Sequence, residues 1–452
     1  MHQTVSLEEL NYRPDSCELF EALRDIPGAA LLDSSYPLSQ AGRYDILCAQ
    51  PVPAPANPPP GADAPAWHDY FSELGRFHRE RYGKVQPAAE DIPFCGGLLG
   101  VLGYDSGNAL HKVQATSAPT THSGINLSAY DWAVIQDHLL QRAVLVAQPQ
   151  VSAAVRRDIR LRLQAVPREV NTGFRLRQRF RSNLTEAEYR HAFERIQAYI
   201  QAGDCYQVNL AQRFSAGFEG DPWCAYRVLR SIAAAPFSAF LQHGTDSALL
   251  CLSPERFLRL HGHRVQTSPI KGTRPRHRDA AADQLAADAL RASHKDRAEN
   301  LMIVDLLRND LGRNCIPGSI HVDALFEVQS FPTVHHLVSN ITGELRADRG
   351  AYDLLRDSFP GGSITGAPKR RAMEIIAELE PHAREAYCGS VVYVSADGRM
   401  DSNIAIRSLL CHEGEIRCWG GGGIVADSQW RHEYQETFDK VGRFLAALES
   451  MS

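Results

Sequence analysis

The stretch "CYQVNLAQRF", Cys205–Phe214, alternates along its first half, with Tyr206, Val208 and Leu210 on one side and Gln207 and Asn209 on the other. A period of two predicts a β-strand with its apolar side on a core and Gln207 turned away from it. Upstream, Thr185 and Glu188 have capping-box spacing, and Tyr189, Phe193, Ile196 and Ile200 follow at helical intervals until Gly203. The chain therefore passes from an amphipathic helix into a strand. The same mixture continues downstream. "KDRAENLMIVDLLRNDLG" (295–312) reads as helix, whereas "FPTVHHLVSNITGELR" (331–346) and "CGSVVYVSADGRMDSNIAIRSLL" (388–410) read as strand-rich.

In the other direction, "GAALLDSSYPLSQAGRYDILCA" (28–49) offers two short apolar runs around a turn, and "FCGGLLGVLGYDSG" (94–107) suits closely packed strands or a tight bend. Between them lies "PVPAPANPPPGADAPAW", 51–67, whose prolines exclude helix interiors and central strands and predict a surface loop. An arginine-rich stretch before Thr185 marks a second break near residue 180. Two lobes are expected, 1–180 and 181–452.

Composition limits the function. With 452 residues, 44% of them hydrophobic, the chain can bury a large core, as one large or two interlocked lobes. A formal charge of -5 without a clustered basic stripe argues against nucleic acid. The start has neither a basic n-region nor an apolar h-region, and no apolar run reaches membrane-spanning length, so a cytoplasmic protein away from membranes is expected. Ten cysteines are scattered without a C-x-x-C pair, which indicates neither a zinc site nor a disulfide framework. Cys205 reads as structural, because Gln207 stands where a nucleophile turn of the G-x-C-x-G type needs glycine.

Four segments carry candidate chemistry. "SPIKGTRPR" (268–276) sets Lys271 between proline and glycine in a stretch too turn-rich for a regular element. Nucleophilic duty there requires burial or nearby cations, such as Arg274 and Arg276, to lower its pKa. "FPGGSITGAPKRRAMEIIAELE" (359–380) runs from a glycine-rich loop into a helix, with Ser363 or Thr365 as caps and an N-terminus that favours an anion. It lacks the Lys-Ser/Thr of a P-loop. "CWGGGGIVADS" (418–428) holds four glycines that either cradle a carboxylate or make a bend. In the last helix Glu433 and Glu436 lie three apart, a spacing that serves a hard cation such as Mg²⁺. Spacing alone favours plain ion pairs, Glu436 with Lys440 and Glu299 with Lys295.

Taken in order, "SPERF", "PIKGTRPR", "AENLMIVDLLRNDLGR", "FPTVHHLVS", "FPGGSITGAPKRRAMEII", "YCGSVVYVSADGRMDSNIAIRS", "GGGGIVADS" and "EYQETFDKV" together resemble the chorismate-utilising enzyme family. The resemblance covers essentially all of residues 180–445 and extends weakly upstream. It implies an α+β fold of two antiparallel β-sheets packed as a sandwich with helices outside, both halves contributing strands. Family members that make anthranilate carry alanine where Lys271 stands. Those that add water carry a lysine at the position of Gln207, and an amide cannot act as that base. Lysine at 271 with glutamine at 207 selects the branch that replaces the 4-hydroxyl of chorismate by an amine, for 4-aminobenzoate and folate synthesis.

By the same resemblance, Lys271 attacks ring C2 while Glu255 protonates the departing hydroxyl, and ammonia then displaces the lysine at C4. Glu299 and Glu436, with Glu433 nearby, hold Mg²⁺ against the ring carboxylate. Tyr387, Arg407 and the N–H groups of Gly421, Gly422 and Gly423 match carboxylate contacts, and Gln207, Thr273, His336 and Ser363 match other substrate positions. Without an amidotransferase motif of its own, the chain is expected to take ammonia from a glutamine amidotransferase component II subunit. Some relatives hold L-tryptophan between the sheets, in the region corresponding to Ser34, Arg43, Tyr44, Pro236, Phe237 and Ser238. The alternatives are an anthranilate-forming large subunit and a non-catalytic ligand-binding paralogue.

Overall fold

The computed structural model describes residues 3–451 except 40–41, 84, 87–88, 115–124, 166–172, 244–246 and 332–333. Part of the predicted break before residue 180, and Pro332 and Thr333 of the strand-rich segment, fall outside the described residues. Among the described residues two large sheets dominate, of thirteen and nine strands. The larger runs from Phe174–Leu176 through Gln207–Gly220, Glu415–Ile424, Ser408–His412, Ser247–Ser253 and Phe237–His243. It then continues into Ala30–Asp33, Tyr44–Cys48, Trp132–Asp137, Arg142–Ala147 and Ser6–Leu10. The smaller begins at Ile270–Pro275 and Val334–Glu344 and ends at Gly97–Leu102 and Leu127–Tyr130. Strands from both sides of residue 180 share each sheet. The described pairings within these sheets are antiparallel, which fits an α+β architecture.

Strand alternation explains the layering. Leu31, Leu47, Val134 and Leu145 point outward into a core shared with Phe20, Trp223, Leu229 and Phe444 of covering helices. Their neighbours Ala30, Ile46, Ile135 and Val144 point inward, against Leu99, Val101 and Val391 of the smaller sheet. Both faces are apolar, so these strands read as nearly continuous hydrophobic runs. The outer face of the smaller sheet is covered by Phe71, Ile303, Leu307 and Leu354 from helices Ala64–Tyr82, His294–Gly312 and Ala351–Ser358.

The expected helix after Thr185 spans Glu186–Gln201 and carries both halves of the capping box. Several expectations need correction. Tyr206 is 70% exposed, whereas Gln207 and Asn209 are buried, because Gln207–Gly220 has neighbours on both faces. The proline stretch ends early: helix Ala64–Tyr82 starts inside it and buries Trp67. Lys271 lies in a regular strand, Ile270–Pro275, at the edge of the smaller sheet. An edge position tolerates Pro275, and a register shift between Lys271 and Thr273 absorbs Gly272. Neither Ser363 nor Thr365 caps helix Lys369–Leu379, which has no side-chain cap. Thr365 Oγ1 instead donates to the carbonyl oxygens of Gly361 and Gly362, 3.1 and 3.3 Å away.

Candidate active site

The four glycines make neither a bend nor a loop. Gly420–Gly423 sit inside strand Glu415–Ile424, paired with Gln212 to Asn209 of the neighbouring strand. A Cβ on Gly420 would lie 2.3 Å from the Thr437 carbonyl oxygen, and one on Gly423 would lie 2.5 Å from Gln207 Nε2. On Gly421 it would meet Tyr387 Oη at 2.9 Å. Absence of side chains thus lets helix Trp430–Glu449 and Tyr387 press against bare backbone. Gly420→Ala is expected to destabilise the protein by about 1–3 kcal/mol, the usual cost of overpacking, measured as a lower urea midpoint at unchanged slope.

That strand forms one wall of a cavity of about 690 Å³. Glu255, which follows strand Ser247–Ser253, and Lys271 enter from the smaller sheet's side, with Ser363 between them. Lys271 Nζ donates to the Ser363 carbonyl oxygen at 3.0 Å, and Ser363 Oγ donates to Glu255 Oε1 at 2.7 Å. The Glu255 N–H donates to Ser253 Oγ at 3.1 Å, which itself donates to the Ile404 carbonyl oxygen at 2.6 Å. One short 3₁₀ turn, Gly362–Ile364, therefore holds the amine and the carboxyl together.

Burial drives both groups toward their neutral forms. It lowers the Lys271 pKa below the usual ammonium range, and Lys440 adds to this, against attraction by Glu255 and Glu299. It raises Glu255 above the usual carboxylate range, although Lys271 and the Ser363 hydroxyl pull the other way. Arg274 and Arg276 do not supply the expected cations, because they pair with Asp296 and Asp283 at 3.0 and 2.8 Å.

Thr273, His336, Tyr387 and Arg407 line the same cavity. Thr273 Oγ1 and His336 Nδ1 are 3.0 Å apart. Burial, then the Arg407 charge, lowers the His336 pKa to about 4, so its ring is neutral at neutral pH. Tyr387 stacks parallel to Trp419, their rings 6.0 Å apart. Arg407 has a left-handed backbone, φ 51°, a conformation uncommon outside glycine and asparagine. Gln207 and Gly422 stand behind the wall rather than on it. Gln207 Oε1 is buried without a hydrogen-bond partner among the described residues, and its amide faces Gly423.

Glu299, Glu433 and Glu436 line the same cavity. A Cβ on Gly422 would lie 3.3 Å from both Glu433 Oε2 and Glu436 Oε1, so these carboxylates flank one point on the strand. Burial and the neighbouring Glu436 raise the Glu433 pKa; burial also raises Glu299. Burial acts likewise on Glu436, but Lys440, Lys295 and Lys271 together outweigh it and the net shift is downward. Lys440 Nζ donates to Glu436 Oε1 and to the Gly421 carbonyl oxygen, both at 2.7 Å. The i,i+4 pairs anticipated from spacing are present, with Lys295 and Glu299 4.0 Å apart, and they border the cavity while both lysines stay exposed.

Among the described residues no group of three or more His, Cys, Asp or Glu side chains converges as a ready metal cage. Crowded carboxylates whose repulsion raises a pKa nonetheless suit a hard divalent cation that uses one or two of them and keeps waters. Asn209, Lys295, Trp419 and Lys440 also line the cavity. Sequence reading missed them as site residues. Lys295 and Lys440 were visible only as surface partners at i,i+4, and Asn209 as the polar side of a strand.

A second cavity, about 850 Å³, opens between the sheets. Ser34, Arg43, Tyr44, Pro236, Phe237 and Ser238 all line it. Ser34 Oγ is buried and has no hydrogen-bond partner among the described residues, and the Arg43 guanidinium lies 4.6 Å from the Tyr44 ring centroid.

The chain matches the chorismate binding enzyme family over residues 62–446 and belongs to that family. More particularly, it is 46% identical over 457 residues to aminodeoxychorismate synthase component 1 of Salmonella typhimurium, covering 98% of each chain. The corresponding Escherichia coli protein is 45% identical over 448 residues, 97% of this chain and 98% of that one. Among solved structures, anthranilate synthase component I from Streptococcus pneumoniae superposes with a TM-score of 0.76 at 28% identity, covering 90% of this chain and 92% of that chain. Among the described residues, no helix is long and apolar enough to cross a membrane.

Proposed function

We propose that the chain converts chorismate and ammonia to 4-amino-4-deoxychorismate, with Lys271 as nucleophile and Glu255 as general acid. The observation that carries this reading is the Lys271–Ser363–Glu255 arrangement, in which burial favours a neutral amine beside a protonated carboxyl. Those are the states that attack and leaving-group departure require. Lys271 Nζ bonds to ring C2 as the diene shifts and the C4–O bond breaks. Glu255 gives its proton to the leaving hydroxyl, which departs as water. Ammonia then bonds to C4, the double bonds return, and the lysine amine is released.

Arg407, Gly421 and Gly423 line the cavity, which supports a role in holding substrate carboxylates, Arg407 through a bidentate pair. Thr273, His336 and Tyr387 shape the remaining walls. Mg²⁺ is the metal that fits Glu299, Glu433 and Glu436, and when bound it would neutralise and orient a carboxylate. A glutamine amidotransferase subunit is the proposed ammonia source. The anthranilate alternative is disfavoured by the lysine at 271, and the non-catalytic one by an acid and a nucleophile held together.

Product mass spectrometry with purified chain, chorismate, Mg²⁺ and an ammonium salt tests the reading. The expected product keeps its enolpyruvyl group and carries an amine in place of the hydroxyl; anthranilate would overturn it.

The second cavity is proposed as an L-tryptophan site, supported by the Ser34 hydroxyl, unpartnered among the described residues, and by the aromatic lining from Tyr44 and Phe237. Calorimetric titration is expected to give binding heat together with a raised melting temperature. Absence of both would remove the proposal.

A further inference from the structure

On one edge of strand Gln207–Gly220, besides Phe174–Leu176 at Phe218 to Gly220, two further short strands pair, Gly366–Ala367 at Gln207 and Val208 and Arg181–Ser182 at Phe214 and Ser215. Over the gap between them the edge is completed by side chains. Arg384 and Glu380, 2% and 7% exposed, form a bidentate pair, Nε to Oε2 at 2.8 Å and Nη2 to Oε1 at 2.6 Å. Glu380 Oε1 also accepts the Ala211 N–H at 2.8 Å, and Arg384 Nη2 donates to the Asn209 carbonyl oxygen at 2.9 Å. The ion pair thus bonds the backbone where a strand would. Arg384 Nη1 donates further, to the Ile364 carbonyl oxygen at 3.1 Å, and the guanidinium lies 5.8 Å from the Tyr387 ring centroid. Arg384 is off the cavity wall, yet Asn209, Ile364 and Tyr387 all belong to that wall.

We propose that Arg384 is a positioning residue for the reaction. By fixing the Ile364 carbonyl it fixes the adjoining Ser363, and Ser363 aims both Lys271 and Glu255. This rests on the reading of those two residues as nucleophile and acid. The fork geometry is the reason for arginine: a lysine ammonium cannot bond Glu380, Asn209 and Ile364 in three fixed directions.

The test is steady-state kinetics of ammonia-dependent turnover with Mg²⁺ for Arg384→Lys, Glu380→Gln, Ser363→Ala and the Arg384→Lys/Ser363→Ala double variant, each checked for fold by circular dichroism. In Arg384→Lys, kcat is expected to fall by about 10²-fold, the cost of a misplacement near 1 Å, with the chorismate KM changed by less than about 3-fold. The double variant is expected to lose far less than the product of the single losses, because both act on one group. Glu380→Gln keeps an acceptor for Ala211 and is expected to lose kcat in the same sense but less. Should Arg384→Lys fail to fold, Glu380→Gln alone and combined with Ser363→Ala carries the same comparison. Unchanged kcat in the folded variants, a rise confined to KM, or multiplicative losses would overturn the proposal. A fully active Lys271→Ala would overturn the underlying reading as well, whereas an inactive Lys271→Ala beside a wild-type Arg384→Lys would overturn the positioning role alone.

Discussion

Lys271→Ala is expected to lower 4-amino-4-deoxychorismate formation by on the order of 10³-fold, equivalent to roughly 4 kcal/mol of barrier. The lysine sits on an edge strand with its amine 3.0 Å from the Ser363 carbonyl oxygen, in surroundings that lower its pKa by burial. Removing it deletes the bond-forming group and leaves the acid without its partner. Intact-protein mass spectrometry gives an independent readout. Wild-type chain incubated with chorismate and no ammonia is expected to gain the mass of chorismate less water, and Lys271→Ala to gain none. Unchanged turnover in the variant would sink the covalent route.

Glu255→Gln is expected to cost about 10²–10⁴-fold in kcat, the range for loss of a general acid. Its amide keeps an acceptor for the Ser363 hydroxyl but has no acidic proton for the leaving group. The pH dependence follows from the directions of the two shifts. On the proposed mechanism activity requires Lys271 deprotonated, so it rises with pH through a pKa below the ordinary ammonium value. It requires Glu255 protonated, so it falls as pH rises through a pKa above the ordinary carboxylate value. A bell in kcat/KM is expected for the wild type, and in Glu255→Gln the residual rate should lack the descending limb.

Much of the architecture was legible because burial leaves a period in the sequence. The capped helix after Thr185 and the last helix, Trp430–Glu449, appear where their apolar positions recur. What escaped is what carries no period. Four glycines have no side chains to alternate, so an ordinary strand interior resembled a bend. Lys271 was surrounded by turn formers because an edge strand accepts proline where a central strand does not. Ser363 and Thr365 looked like helix caps, but their hydroxyls bond to Glu255 and to the turn's own carbonyls. The lysines at 295 and 440 could be seen to pair with carboxylates, but not that the pairs border a cavity. Arg384 showed only a four-residue spacing from Glu380, since its other partners, the Asn209 and Ile364 carbonyl oxygens, are main-chain atoms distant in sequence.

The glycine strand has an evolutionary consequence. A wall of bare main chain presents the same N–H and C=O groups whatever codon changes occur elsewhere, and a Cβ added at Gly420, Gly421 or Gly423 collides with a neighbour. Mutation therefore cannot readily tune this surface toward a different substrate. A change of chemistry on this scaffold therefore falls to positions that do carry side chains, such as Lys271 and Glu255, rather than to the glycine wall.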